Sequence, residues 1–119
     1  MAKVRKTKVF LSERAVADLR EIEAYSSEKW GEATAERYLD AFDKFFTLVE
    51  AEAGILLAAP VIENLLTHTV EKHVVVCTMW NDDVLVLTIV HSSRELINHL
   101  DRLLPTLRSE VELLKKRLQ

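Results

Sequence analysis

His68, His73 and His91 are side chains of this sequence that can exchange protons near neutral pH, and Arg94 follows the last of them by three positions. A pair of imidazoles can share acid and base work, and a guanidinium can hold a developing anion. Each of these residues also has a structural use. A histidine at the end of a strand can simply bond a carbonyl, and an arginine in the first turn of a helix sits badly for the helix dipole unless an anionic partner faces it. His73 and Cys77, four apart on an expected strand, share a face, with His68 and Glu71 nearby. Two further ligands at any standard zinc spacing are missing, so the expectation is no metal and no cofactor. Cys77 reads as a small buried hydrophobe. No glycine-rich phosphate loop, paired-carboxylate motif or nucleophile elbow is present.

The elements that must position these groups follow from periodicity. A strand is expected over Thr7 to Leu11, then Ser12 as a helix N-cap and a helix to Trp30 with Ala15, Leu19, Ile22 and Tyr25 on its apolar face. Glu13, Arg14, Asp18, Glu21 and Glu28 fill the other face, and Glu13, Glu21 and Glu28 read as solvated. Gly31 stops this helix, and a second runs from Glu32 to Ala53, carrying Tyr38, Phe42, Phe45, Leu48 and Val49, with Gly54 as its left-handed cap. Past Pro60 the period changes: Leu65–Val70, Val74–Trp80 and Val84–Val90 read as an antiparallel meander, the last two joined by Asn81-Asp82-Asp83. Val84–Val90 is apolar on both faces and needs a cover on each. Ser92 and Glu95 have capping-box spacing, and Ile97, Leu100, Leu104, Leu107, Val111, Leu114 and Leu118 form a heptad-like seam, interrupted at Pro105 by a kink or a new helix start. That seam packs either on the protein's own sheet or on a partner, as in a homodimer. The order implies an α+β fold: an N-terminal strand, a two-helix hairpin, a three-stranded antiparallel meander and a C-terminal helix.

At 119 residues the chain suits one domain, taken as residues 1–100 with a helical extension over 101–119. The net charge of −3 is uneven: residues 1–8 carry +4, residues 101–119 carry +2, and the body between them carries −9 with only seven Lys and Arg. That body is unsuited to gripping phosphates, so direct nucleic-acid binding is not expected. One cysteine, no long apolar run and no secretory h-region after the basic start imply a cytoplasmic protein without a membrane span.

From about residue 8 to 96 the sequence resembles the ParE/RelE superfamily of bacterial toxins, most closely the ParE or plasmid-stabilisation branch. The likeness rests on Ala15, Asp18, Leu19, Ile22 and Tyr25 in register on the first helix, on Trp30-Gly31 followed by Ala35 and Tyr38, and on the closing His91, Arg94 and Glu95. It departs where members often carry cations: Cys77-Thr78 stands in place of Tyr-Arg, Thr88 in place of Arg, and His68 in place of an earlier Arg. The segment past residue 100 is longer than is common. The resemblance implies a toxin of a type II toxin–antitoxin pair that acts by protein binding, with DNA gyrase as target and a cognate antitoxin as partner. Surfaces expected to meet partners include Leu19, Tyr25, Tyr38, Phe42, Trp80, Arg94, Leu107, Val111 and Leu114. Two other readings stay open. One is a metal-independent, ribosome-dependent mRNA endonuclease using His91, Arg94 and His68. The other is a non-toxic member working as a dimeric interaction module through the C-terminal helix.

Overall fold

A computed structural model describes residues 7–58, 64–93 and 95–119. Arg94, Pro60 and most of the basic start therefore lie outside the described residues. The order is β1 (Val9–Leu11), α1 (Glu13–Trp30), α2 (Glu32–Ala51), a 3-10 turn (Ala53–Ile55), β2 (Leu57–Ala58), β3 (Leu66–Val70), β4 (His73–Trp80), β5 (Asp83–His91) and α3 (Leu96–Leu118). The strands form one sheet ordered β1-β5-β4-β3-β2. The fold is the expected α+β arrangement, with β1 joining β5 in parallel and the remaining pairs antiparallel. β2, two exposed residues pairing with Leu66 and Thr67, is an addition that no periodicity announced.

β5 is the centre of the molecule. Asp83 through Val90 are all buried, as a strand covered on both faces requires. One face meets α1 and α2 through Val84, Val86 and Ile89, together with Ile22, Phe42, Phe45 and Val49. The other meets α3 through Leu85, Leu87 and Val90. The parity changes at a bulge: Cys77 pairs with Val86 but Val76 pairs with Thr88, so Leu87 is the extra residue. The β4–β5 hairpin closes on Asn81 and Asp82, whose φ of 51° and 68° suit a type I′ turn.

α1 starts where it was expected to. Ser12 Oγ accepts the Ala15 N–H at 3.0 Å, and Gly31, at φ 93°, turns the chain from α1 into α2 through a backbone region that side chains avoid. Two expected caps are corrected. Gly54 has no left-handed φ; α2 ends at Ala51, and Gly54 lies in the 3-10 turn that takes up the next residues. Ser92 does not cap α3, because its N–H is still paired with Lys72 O at 2.9 Å at the end of the sheet; α3 begins after Glu95 and has no side-chain cap. The polar reading of α1 also changes. Asp18 reaches inward to Thr88 and Ile89, and the Arg14 Nε–H donates to Thr88 at 3.2 Å.

α3 runs through Pro105 as one helix, and the Asp101 carbonyl that loses its proline partner belongs to an exposed residue. Its seam faces the protein's own sheet. Leu100, Leu107 and Leu114, spaced by seven, are buried, and Leu104, Val111 and Leu118 pack beside them. Ile97 is 46% exposed, and Leu96 and Leu103 take the packing positions instead. Leu107 and Leu114 are thus core residues of a single chain, and the seam that would join two copies is already used. Residue 100, where a tail was expected to begin, lies inside this helix. The far end of α3 is tied back by Arg117, which donates to the Leu11 carbonyl at 3.0 Å. No helix among the described residues is long and apolar enough to cross a membrane.

Two outcomes follow for stability. Ser12→Ala removes a helix cap and strands the buried Leu87 carbonyl, and should lower the unfolding free energy by about 2–4 kcal/mol in urea titrations. Leu107→Ala should cost about 2–5 kcal/mol, whereas Leu113→Ala, at 55% exposure one turn from the seam, should stay within about 0.5 kcal/mol.

Candidate functional site

A concavity lies between the helix pair and the end of the sheet where β4 begins and β5 ends. It is a groove of about 770 Å³. Asp18, Ile22 and Tyr25 form part of the α1 wall, Tyr38 comes from α2, and His73 and His91 come from the sheet. Its rim is aromatic: Tyr25 is 56% and Trp30 48% exposed, their rings meeting edge to face at 5.7 Å, with the Lys29 ammonium 3.1 Å from the Tyr25 hydroxyl. A second depression, beside α3 and lined by Thr78, Met79, Arg108 and Val111 among others, holds no comparable aromatic rim.

The polar floor of the first groove is assembled by register. His73 and His91 are direct cross-strand partners on β4 and β5, and their rings stand 5.3 Å apart at 77°. The neighbouring pair is closed by the Ser92 N–H to Lys72 O bond, so His73 and His91 occupy a non-hydrogen-bonded position, the closer of the two kinds. The Tyr38 hydroxyl lies 2.7 Å from His73 Nδ1 and accepts the Lys72 N–H at 3.1 Å. A phenol oxygen has two lone pairs and one proton, so it can serve either tautomer of His73 while keeping the ring in place. Tyr38 and Phe42 also flank the His73 ring.

Partial burial pushes the His73 pKa below the ordinary imidazole value, the neighbouring His91 pushes it further, and Asp18 pulls the other way. Burial raises that of Tyr38 despite the Lys72 N–H, with Glu71 adding to the rise. At neutral pH the floor therefore holds a neutral imidazole and a neutral phenol. Cys77 lies elsewhere, fully buried, with its thiol pushed up to about 12 by desolvation and no nucleophilic role.

The structure separates the expected site residues. His91 is in the groove. His68 is not: it stacks on Phe45 at 4.8 Å, along α2 from Tyr38. Arg94 lies outside the described residues. Of the expected partner contacts, Tyr25 is exposed and Tyr38 lines the groove, while Leu19 is half-buried against the core. Phe42, at 1% exposure, is core and offers no surface, as are Leu107 and Leu114. Trp80 is half-buried under the Lys115 ammonium, 5.8 Å from its ring, and Val111 packs beside it on the α3 side. Trp30 as a rim residue and the bond between His73 and Tyr38 were not foreseen. Trp30 sits at the helix end where its ring cannot be buried, and the link from residue 38 to residue 73 depends on tertiary packing.

Stability should carry the signature of His73. The unfolded chain binds a proton at this residue more readily than the folded one, so stability is full above the ordinary imidazole range and falls as pH drops below about 6.5. The thermal midpoint of His73→Gln should fall less between pH 7 and pH 5 than that of the parent.

Residues 9–96 match the family described as the ParE toxin of type II toxin-antitoxin system, parDE. A solved structure described as the chromosomal ParDE TA system from P. aeruginosa shares the fold, with a TM-score of 0.65 at 15% identity, covering 74% of this chain and 98% of that one. No match was found among curated proteins. Since the family match runs from the first strand of the sheet to the first residue of α3, the chain belongs to the ParE toxins of type II toxin–antitoxin systems.

Proposed function

We propose that this toxin acts by binding a protein rather than by turning over a substrate. DNA gyrase is the target that the family resemblance implies, and the cytoplasm is the compartment. A cognate antitoxin neutralises it by laying a flexible arm into the groove between the helix pair and the sheet. The observation that carries this reading is the groove itself: a concave surface with an exposed Tyr25 and Trp30 at its rim, the kind of residues that anchor protein interfaces. Its polar floor offers two imidazoles and a phenol, and the body of the chain has few cations to hold RNA phosphates.

Induction of the chain without its antitoxin should arrest growth with a DNA-damage response while bulk translation continues. Co-expression of the antitoxin should restore colonies. Trp30→Asp should weaken antitoxin binding at least tenfold while the protein stays folded, because Trp30 is on the rim and outside the core. Rapid loss of translation, abolished by His91→Ala, would replace this reading with RNA cleavage. Soluble expression without arrest would leave a binding module without toxicity.

A further inference from the structure

The His73–His91 pair has a geometry that neither a buried strand nor a peptide groove requires. Two imidazoles from adjacent strands, in the closer class of cross-strand pair, face one groove with their ring centres 5.3 Å apart. Two imidazoles sharing one tetrahedral ion at the usual metal–nitrogen length of about 2.0–2.1 Å have ring centres about 5 Å apart. The ring spacing is thus close to that of two histidines sharing one ion. Second, one of the two rings is held from behind. The Tyr38 hydroxyl can accept the His73 Nδ1–H alongside the Lys72 N–H, which leaves the Nε2 lone pair free, the outer-sphere support typical of a metal-bound histidine. Third, carboxylates share the groove: Asp18 and Glu21 of α1 line it together with Lys29 and Lys72, and Asp18 is close enough to act on the charge of His73.

We infer that His73 and His91 form a two-histidine site for a divalent late first-row cation such as Zn²⁺, open to the groove. Imidazole nitrogen suits Zn²⁺, Cu²⁺ and Ni²⁺ and selects against Mg²⁺ and Ca²⁺, which prefer oxygen. Among the described residues no three His, Cys, Asp or Glu side chains are placed to hold an ion. The pair therefore supplies two ligands, and water fills the remaining positions as at an open site. Such an ion would neutralise the Asp18 and Glu21 wall and leave exchangeable positions facing the peptide groove. Neither histidine is close to the other in sequence, and the site exists only through the β4–β5 register. It does not depend on the toxin's target or on its antitoxin.

The test uses the tag-free full chain and Zn²⁺ alone, followed by calorimetry at pH 7.5 with thermal unfolding as a second readout. One saturable equivalent in the micromolar range and a raised thermal midpoint are expected. His91→Ala should weaken binding at least tenfold; this residue is exposed, so its loss leaves the core in place. His73→Gln should do the same, with its circular dichroism compared with the parent. His68→Ala and His99→Ala, both outside the groove, should bind as the parent does. Binding should fade towards pH 5.5, because protons compete for both imidazoles in a groove that also presents Asp18, Glu21 and Lys29 of α1, Tyr38 of α2 and Lys72 of the β3–β4 turn. Absence of saturable Zn²⁺ binding, or binding of parental strength in His91→Ala, would overturn the site. Failure of the toxicity or antitoxin experiments would leave it standing.

Discussion

The structure depends on how β5 replaces a missing neighbour. β1 pairs with Val84, Leu85 and Val86 and goes no further, so Leu87 to Val90 of this buried strand lie beyond its ladder. Unpaired buried amide groups are costly, and a fully buried strand cannot turn to water for them. The first residues of the α1 segment supply the partners instead. The Ser12 N–H goes to Val86 O at 2.9 Å, and the Ser12 hydroxyl donates to Leu87 O at 2.8 Å while it caps the helix. One turn on, the Asp18 carboxylate accepts the Ile89 N–H at 3.0 Å and the Thr88 hydroxyl at 2.5 Å. α1 thus leaves the sheet at an angle fixed by hydrogen bonds at two points, and the groove it walls inherits that angle.

The bulge at Leu87 belongs to the same arrangement. Were the same residues paired without a bulge, the strict alternation of β5 would turn Ile89 and His91 towards α3. With it, Ile89 packs under the helix pair, and His91 comes beside His73 on the groove side. α3 answers the other face. The family match ends where α3 begins, yet the helix fills an apolar surface made by Val74, Val76, Leu85 and Leu87, and its Glu110 accepts the Arg14 N–H in the first turn of α1. The added helix is therefore part of the core in this chain.

Much of this was legible in the residues. Ser12, the stripe through Ala15 and Ile22, the Gly31 turn, the three long strands and the demand for a second cover on Val84–Val90 all follow from period and cap chemistry, and all stand in the structure. The failures share a cause. Gly54 and Ser92 satisfy local cap rules, but the chain around each was already committed, to a 3-10 turn in one case and to the sheet's last bond in the other. That Asp18 turns inward could not be read from its place on the polar face of α1, because helical periodicity says nothing of a strand edge that needs an acceptor. Phe42, Leu107 and Leu114 were read as available surface because an apolar stripe does not tell whether the protein's own sheet will cover it. His73 and His91 could be paired only once the β4–β5 register was known. Family knowledge located the toxin fold, and its missing Arg at position 88 turned out to be a buried threonine serving Asp18 and Arg14.

The strand order also sets a timetable. β5 is the last of the described strands in the sequence and yet it lies inside the sheet, between β1 from near the beginning of the chain and β4 just before it. The contacts that hold β1, such as Lys8 N–H to Asp83, span 75 residues, and the clasp from Arg117 to Leu11 spans 106. Pairings of such long range form late, because the intervening chain must be closed into a loop first. A ribosome-bound fragment ending before β5 can make the helical hairpin but not the groove. The groove therefore appears only once β5 has joined the sheet, and chains that stop short of β5 lack it.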